Sequence, residues 1–347
     1  MRKSTQQLSE REGGILAATI KDYIRTAHPV ASARVRDAYK MPVSSATIRN
    51  TMAALERAGY LTHPHTSAGK VPTDKGYRTY VNQLMVVEDL SREIAAQVRW
   101  NLDRISGDVD KLLQIVANII SRLSGGVGIA IAPVNMQERL LAIRLVPMSG
   151  ERVLMALELN SGHVRTVVAQ GSETLGGYSL VTLEEILNER LSGLTLEEIQ
   201  ATLGPRLEGT IADEMGITTL ILEHSDELFH RTEWGGMHIY GLQQVLTGPE
   251  FIDQDNVVTL ISLVEDEGRL QALLLSDDPG DRTQVTIGQE HHDEQLVTFT
   301  TISRGFFHAA SMGTVAVLAP KRIDYPQVFT VLEFLGDTLT ELMERSA

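Results

Sequence analysis

The 347-residue sequence has no cysteine. That excludes a disulfide framework, a thiolate zinc site and a cysteine nucleophile. No apolar run reaches membrane-spanning length. The N-terminus, MRKSTQQLSEREGG, lacks the apolar core of a signal peptide, so a cytoplasmic protein without a membrane span is expected. There is no P-loop and no G-x-S-x-G. Gly125-Gly126-Val127-Gly128 precedes a strand and does not join a strand to a helix, which disqualifies it as a dinucleotide loop. Overall positive charge is missing too: the formal net charge is −14.

The charge average hides a division. Residues 1–80 hold 13 Lys+Arg against 6 Asp+Glu, a net of +7, and the remainder carries −21. A basic head on an acidic body places polyanion binding at the N-terminus. The length suits two or three domains.

The head is organised around Met41–Tyr60. Pro42 cannot continue a helix, Ser44 is a good N-cap, and Gly59 is a natural stop. Ile48, Met52 and Leu55 recur on one helical face. The opposite face offers Ser45, Thr47, Arg49, Asn50 and Arg57, side chains that hydrogen-bond base edges and phosphates. A solvated helix face is the plain alternative. Upstream, Glu10–Thr26 reads as a first helix with Leu16, Ile20, Tyr23 and Ile24 inward, ended by His28-Pro29. Ser32 can cap a second helix running to Tyr39, with Val35, Ala38 and Tyr39 inward. Three helices on short turns make a helix-turn-helix unit.

Gly59–Thr73 follows as a β-hairpin wing. Its tip carries His65, Thr66, Ser67 and Lys70, suited to donate to phosphates. His63 and His65 suit structural or phosphate-contacting roles, not catalysis. Thr73 then caps a helix bearing Lys75 and Arg78, with Val81 and Leu84 inward.

These runs resemble the HrcA family of bacterial heat-inducible transcription repressors. The resemblance rests on Leu8-Ser9-Glu10-Arg11, Asp22-Tyr23-Ile24 and His28-Pro29-Val30. It is strongest in Ser45-Ala46-Thr47-Ile48-Arg49-Asn50, in Pro64 through Thr73 and in Gly76-Tyr77-Arg78. Two positions depart from the family pattern. Ala31-Ser32-Ala33 stands where Gly-Ser-Arg or Gly-Ser-Lys is usual, and Lys70 where Arg is commoner. The first removes a cation from the second helix, although Arg34 lies beside it. The resemblance implies a dimer on an inverted-repeat operator, CIRCE, upstream of the groE and dnaK operons. It also implies that the GroEL chaperonin keeps the repressor active.

Beyond the head, Val98, Ile105, Leu112 and Ile119 alternate with Leu102, Val109, Val116 and Leu123 as a 3–4 heptad seam, broken near Gly107. Two readings stand side by side: helices packed on their own domain, or a linker helix followed by a dimer contact. From Val127 the pattern turns to strands, at Val127–Ala132, Leu140–Pro147, Arg152–Leu159 and Val164–Val168, forming an antiparallel meander. Helical pattern resumes at Thr182–Leu191. Residues 196–278 hold 17 Asp+Glu and 3 Lys+Arg and read as an acidic insertion. Strands return at Gln284–Ile287, Leu296–Ile302 and Thr314–Leu318. Asp324 caps a last helix with Val328, Val331, Leu335, Leu339 and Leu342 inward.

The expected fold is therefore α+β. A winged helix-turn-helix at 1–87 is followed by a linker helix at 88–103 and an α+β domain at 104–195 and 279–347, interrupted by the segment 196–278. The resemblance makes the interrupted domain GAF-like and the insertion dimerising. It is carried there by Tyr240-Gly241-Leu242, Pro249-Glu250-Phe251, Ile287-Gly288-Gln289-Glu290 and Pro320-Lys321-Arg322-Ile323-Asp324-Tyr325. Leu220-Ile221-Leu222 and Leu228-Phe229 form an apolar strip suited to a small core or a partner surface.

Catalytic candidates are weak. His291 and His292 are adjacent and would point apart on a strand. His224 and His230 are poorly spaced for a metal, and His224, Asp226 and Glu227 read as acidic surface. The expectation is a regulator without enzyme activity, metal or cofactor. Two rivals are a metabolite-sensing regulator with its ligand in the GAF-like domain, and an enzyme with a winged-helix accessory.

Overall fold

In the computed structural model, the structure describes residues 8–64, 69–105, 109–132, 138–149, 152–160, 164–170, 180–210, 219, 221, 236–275, 280–308 and 311–346. Two compact units are present. The first comprises residues 1–130, 238–306 and 314–346, the second residues 131–237 and 307–313.

The first unit opens with α1 (Glu10–Thr26), α2 (Ser32–Ala38) and α3 (Ser45–Arg57). A capping box between Ser9 and Glu12 starts α1, and Ala27 ends it in the left-handed region. The N-cap of α2 is Ala31, without a side-chain bond, so Ser32 is the first helical residue and not the expected cap. Ala38 is exposed and Tyr39 half-buried, so Val35 alone anchors α2 in the core. Ser44 caps α3 by accepting from the Thr47 N–H. At its far end the Tyr60 N–H donates to the Leu55 carbonyl and the Gly59 N–H to that of Glu56, both at 2.9 Å. This is a Schellman closure, and Gly59 adopts φ +79° to make it. Leu55 and Tyr60, buried on either side, supply its apolar contact.

The wing is β1 (Leu61–Thr62) and β2 (Val71–Pro72), antiparallel with Leu61 opposite Pro72. A third segment joins it: Val30 and Lys70 exchange two backbone hydrogen bonds at 2.9 Å. Gly69 permits this, since a Cβ there would lie 2.6 Å from the Val30 backbone. Thr73 caps α4 (Asp74–Thr79) as expected, and the chain continues as one π-turn over Tyr80–Leu84.

Next come α5 (Arg92–Asp103), α6 (Val109–Ser124) and β3 (Val127–Ile131), buried along its whole length. The expected break near Gly107 lies outside the described residues. Val98, Leu102, Leu112 and Val116 of the seam are buried inside the unit, where α5 and α6 pack on each other and on the last helix. Of the seam, Val109 is 40% exposed, so intramolecular packing takes up most of it.

The second unit contains the antiparallel meander β4 (Leu140–Pro147), β5 (Arg152–Leu159) and β6 (Val164–Gln170), then α7 (Leu180–Leu191) and α8 (Leu196–Leu207). Ile143, Leu145, Met155, Leu157 and Val167 point to one side and form a core with Leu183, Leu187, Ile199, Leu203 and Ile221. Asn188 of α7 accepts from the Ile143 N–H at 2.7 Å and donates to the Ile143 carbonyl at 2.8 Å. Glu184 accepts from the Leu145 N–H at 3.0 Å. Side chains of α7 thus occupy the free edge of β4. Of the expected strip at 220–229, Ile221 is buried in this core and the rest lies outside the described residues, as do His224, Asp226, Glu227 and His230.

The chain returns to the first unit through β7 (Met237–Tyr240), α9 (Leu242–Val245), α10 (Gln254–Glu265) and α11 (Glu267–Leu275). It ends with β8 (Gln284–Ile287), β9 (Phe299–His308), β10 (Ser311–Pro320) and α12 (Tyr325–Ser346). The central sheet has the order β7-β3-β10-β9-β8. Val328, Val331, Leu335 and Leu339 face inward on α12, but Met343 and not Leu342 closes the stripe. The division does not follow the acidic block. Residues 196–237 belong with the meander, whereas β7 through α11 belong with the first unit. Composition marked the block because both parts are acidic, although they pack into different cores. Among the described residues, no helix is long and apolar enough to cross a membrane.

Candidate nucleic-acid interface

The helix α3 lies with Ile48, Thr51, Met52 and Leu55 in the core of the head. That orientation leaves Ala46, Arg49, Asn50 and Arg57 exposed on the opposite side. Ser45 and Thr47 are half-buried on the first turn, and the Thr47 hydroxyl lies 2.9 Å from that of Ser44. Among the described residues Arg49 and Arg57 have no acidic partner. The face thus combines unneutralised guanidinium groups with an amide, on a helix thin enough for a major groove.

The helix-turn-helix is braced from behind by Asp22. Its carboxylate is fully buried and accepts from Arg25 at 2.7 Å and Arg34 at 2.5 Å. Arg34, the cation beside the atypical Ala31-Ser32-Ala33, is therefore tied to α1.

Lys70, at the base of the wing, donates to Glu56 at 2.5 Å, and His63 meets the other oxygen of the same carboxylate. The Lys70 bond first, then the His63 contact, holds the Glu56 carboxyl below its ordinary range. The tip residues His65, Thr66 and Ser67 lie outside the described residues.

Lys75 and Arg78 do not join this face. Lys75 donates to the Ala58 carbonyl at 2.7 Å and sits 4.2 Å over the Tyr60 ring, so it closes the C-terminal end of α3. Arg78 donates to Glu290 at 2.8 Å and to the Val285 carbonyl at 2.6 Å. Of the eleven sequence-predicted residues, Ser45, Thr47, Arg49, Asn50 and Arg57 share the α3 surface, with Lys70 at the wing base. Sequence reasoning missed Glu56 and Asp22. Both read as ordinary helix acids, and the i,i+3 spacing of Asp22 to Arg25 was the one available hint.

Among the described residues no group of His, Asp and Glu could hold a metal ion. His292 has φ +53° and follows a 3-10 turn ending at His291, so the pair does not lie on a strand.

Three helices, a two-stranded wing and an unneutralised basic strip on the third helix define a winged helix-turn-helix regulator carried on an α+β body. Comparison with known proteins narrows the class. The family described as "HrcA protein C terminal domain" matches residues 110–329. The heat-inducible transcription repressor HrcA of Pelotomaculum thermopropionicum is 32% identical over 341 residues, 98% of either chain. That of Prosthecochloris aestuarii is 34% identical, over 97% of this chain and 98% of its own. The chain belongs to the HrcA family of heat-inducible transcription repressors. A solved structure, "Crystal structure of a hypothetical protein at 2.2 A resolution", is 26% identical with a TM-score of 0.58, covering 98% of this chain and 99% of the other. The two HrcA relatives are repressors by name, in agreement with the expectation of a non-enzymatic protein.

Proposed function

We propose that this repressor binds an inverted-repeat operator of the CIRCE type at chaperone operons such as groE and dnaK, as a homodimer in the cytoplasm. Arg49 and Asn50 read base edges, and Ser45, Thr47 and Arg57 contact the flanking phosphates. The wing, with His65, Thr66, Ser67 and Lys70, lies along the backbone. The carrying observation is the exposed strip of Arg49, Asn50 and Arg57 on a helix whose other side is buried. Lys75 and Arg78 serve this surface from behind, by holding α3 and α4 in place. The GroEL chaperonin enters as the partner that keeps the repressor active, on the strength of the family resemblance.

Footprinting on the groE promoter of the source organism, with and without GroEL, tests the reading. Protection of an inverted repeat that strengthens with GroEL is expected. Protection of neither half of it would overturn the assignment.

One observation favours a metabolite-sensing variant of the same function, with the ligand between the head and the last helix and not inside the GAF-like domain where it is expected. A cleft of about 650 Å³ in the first unit is lined by Lys21, Arg25, Tyr39, Glu88, Asp324 and Gln327, among others. It lies behind the reading head, where a ligand would bear on α1. A thermal-shift screen that finds a stabilising metabolite, whose effect is lost in Arg25→Ala, would support this variant.

A further inference from the structure

Among the described residues, hydrogen bonds and ion pairs hold the reading head to the body of the first unit at three points, none of them on the exposed face of α3. At the end of α1, Arg322 donates to the Ile24 carbonyl at 2.6 Å and to the two oxygens of Glu250 at 2.5 and 3.1 Å. At the start of α4, Asp74 accepts from Lys321 at 2.5 Å and from the Gln289 N–H at 3.0 Å. One turn further on, Arg78 holds Glu290, whose carboxylate also accepts from the Ile287 N–H at 2.8 Å. Between these points the buried rings of Tyr77 and Tyr325 meet with centroids 5.7 Å apart.

Three separated attachments determine the orientation of a rigid body, where one or two would leave it free to turn. The partners come from segments far apart in sequence: Gln289, Glu290, Lys321 and Arg322 reach the head directly, and Glu250 holds Arg322. Their charged groups are partly screened from water, from Arg322 and Glu250 at 20% and 22% exposure to Arg78 and Glu290 at 30% and 35%. Bonds of that kind are more directional and less salt-sensitive than surface pairs. An inverted repeat has a fixed spacing, and two heads can meet it together only if each is held at a set angle to its own body.

We infer that Arg322, Glu250, Glu290 and Asp74 are positioning residues for operator recognition: they set the angle of the reading head and thereby the half-site spacing the repressor accepts. This rests on the proposed operator reading.

The test uses the full chain and three DNAs: the native inverted repeat, the same repeat with its spacer lengthened by a few base pairs, and a single half-site. Wild type should prefer the native spacing. Glu250→Gln and Arg322→Lys should weaken binding to the native repeat about tenfold. They should also narrow the preference over the lengthened spacer and leave half-site affinity unchanged. Glu290→Gln breaks a different attachment and should do the same, which guards against one variant that folds poorly. Thermal unfolding identifies any such variant. Equal weakening on all three DNAs, or no change on any, overturns the inference while leaving operator reading intact. Wild type that does not distinguish the repeat from scrambled DNA overturns both.

Discussion

At the residue scale the reading face divides into free and engaged cations. Arg49 and Asn50 are free to approach base edges bidentately, Arg to guanine and Asn to adenine. Replacing either with Ala should cost about 1–3 kcal/mol on operator DNA and relax specificity at one position. Competition between operator and scrambled DNA measures this. Full discrimination in both variants would mean that another face enters the groove. Lys70 is engaged by Glu56, so its charge reaches phosphate only by exchanging partners. Glu56→Gln should therefore strengthen DNA binding and raise the salt slope by about 1, through the charge it releases. An unchanged slope would show that Lys70 exchanges freely in wild type. The pH dependence has a definite sign. The Glu56 carboxyl lies below its ordinary value of 4.5 in the folded chain, chiefly because Lys70 donates to it. The pair thus adds stability above that value and loses it as pH falls through the folded value. The melting-temperature gap between wild type and Glu56→Gln should hold at neutral pH and close in acid.

At the scale of elements, local chemistry made much of the head legible. Ser44 and Thr73 cap their helices, Gly59 takes the left-handed turn, and the Glu10–Thr26 helix keeps its expected bounds. Each of these depends on neighbours a few residues away. Ser44→Ala should lower stability by about 1 kcal/mol in chemical denaturation, by removing the acceptor for the Thr47 N–H. An unchanged midpoint would show that solvent satisfies that N–H equally well. The third wing segment was not legible, because the Val30–Lys70 bridge joins residues far apart in sequence, with α2 and α3 between them, and Val30 has no strand-like surroundings. The roles of Lys75 and Arg78 were hidden for a related reason. A cation on a short helix reads the same whether it meets phosphate or, as here, the Ala58 carbonyl and Glu290. The candidate site was therefore readable where burial periodicity alone selects a face, as on α3, and unreadable where distant partners decide.

At the scale of the molecule, the proposed two-fold operator would require chains with one reading head each to pair, and the structure changes where a test of that proposal must be aimed. Removing residues 196–278 would take α8 from the core of the second unit and β7 from the central sheet of the first. Such a deletion would damage two cores and report on neither surface. The heptad seam is a poor site, since Val98, Leu102, Leu112 and Val116 are already buried within one chain. The meander offers a better one. Its β4 edge is occupied by Asn188 and Glu184, whereas among the described residues β6 pairs only with β5 and no strand covers its outer edge. Val164 and Val168 stand 60% and 45% exposed on β6, and Val146 lies 46% exposed in the same row as Leu154 and Val168. An open edge beside an apolar face is a surface that a second copy can cover by extending the sheet. Lysine on an edge strand opposes such pairing without disturbing the core behind it. Val164→Lys combined with Val168→Lys should therefore shift the protein to a monomer in light scattering and reduce binding to the full repeat towards that of a half-site. A variant that remains dimeric and protects the whole repeat would remove β6 from the interface.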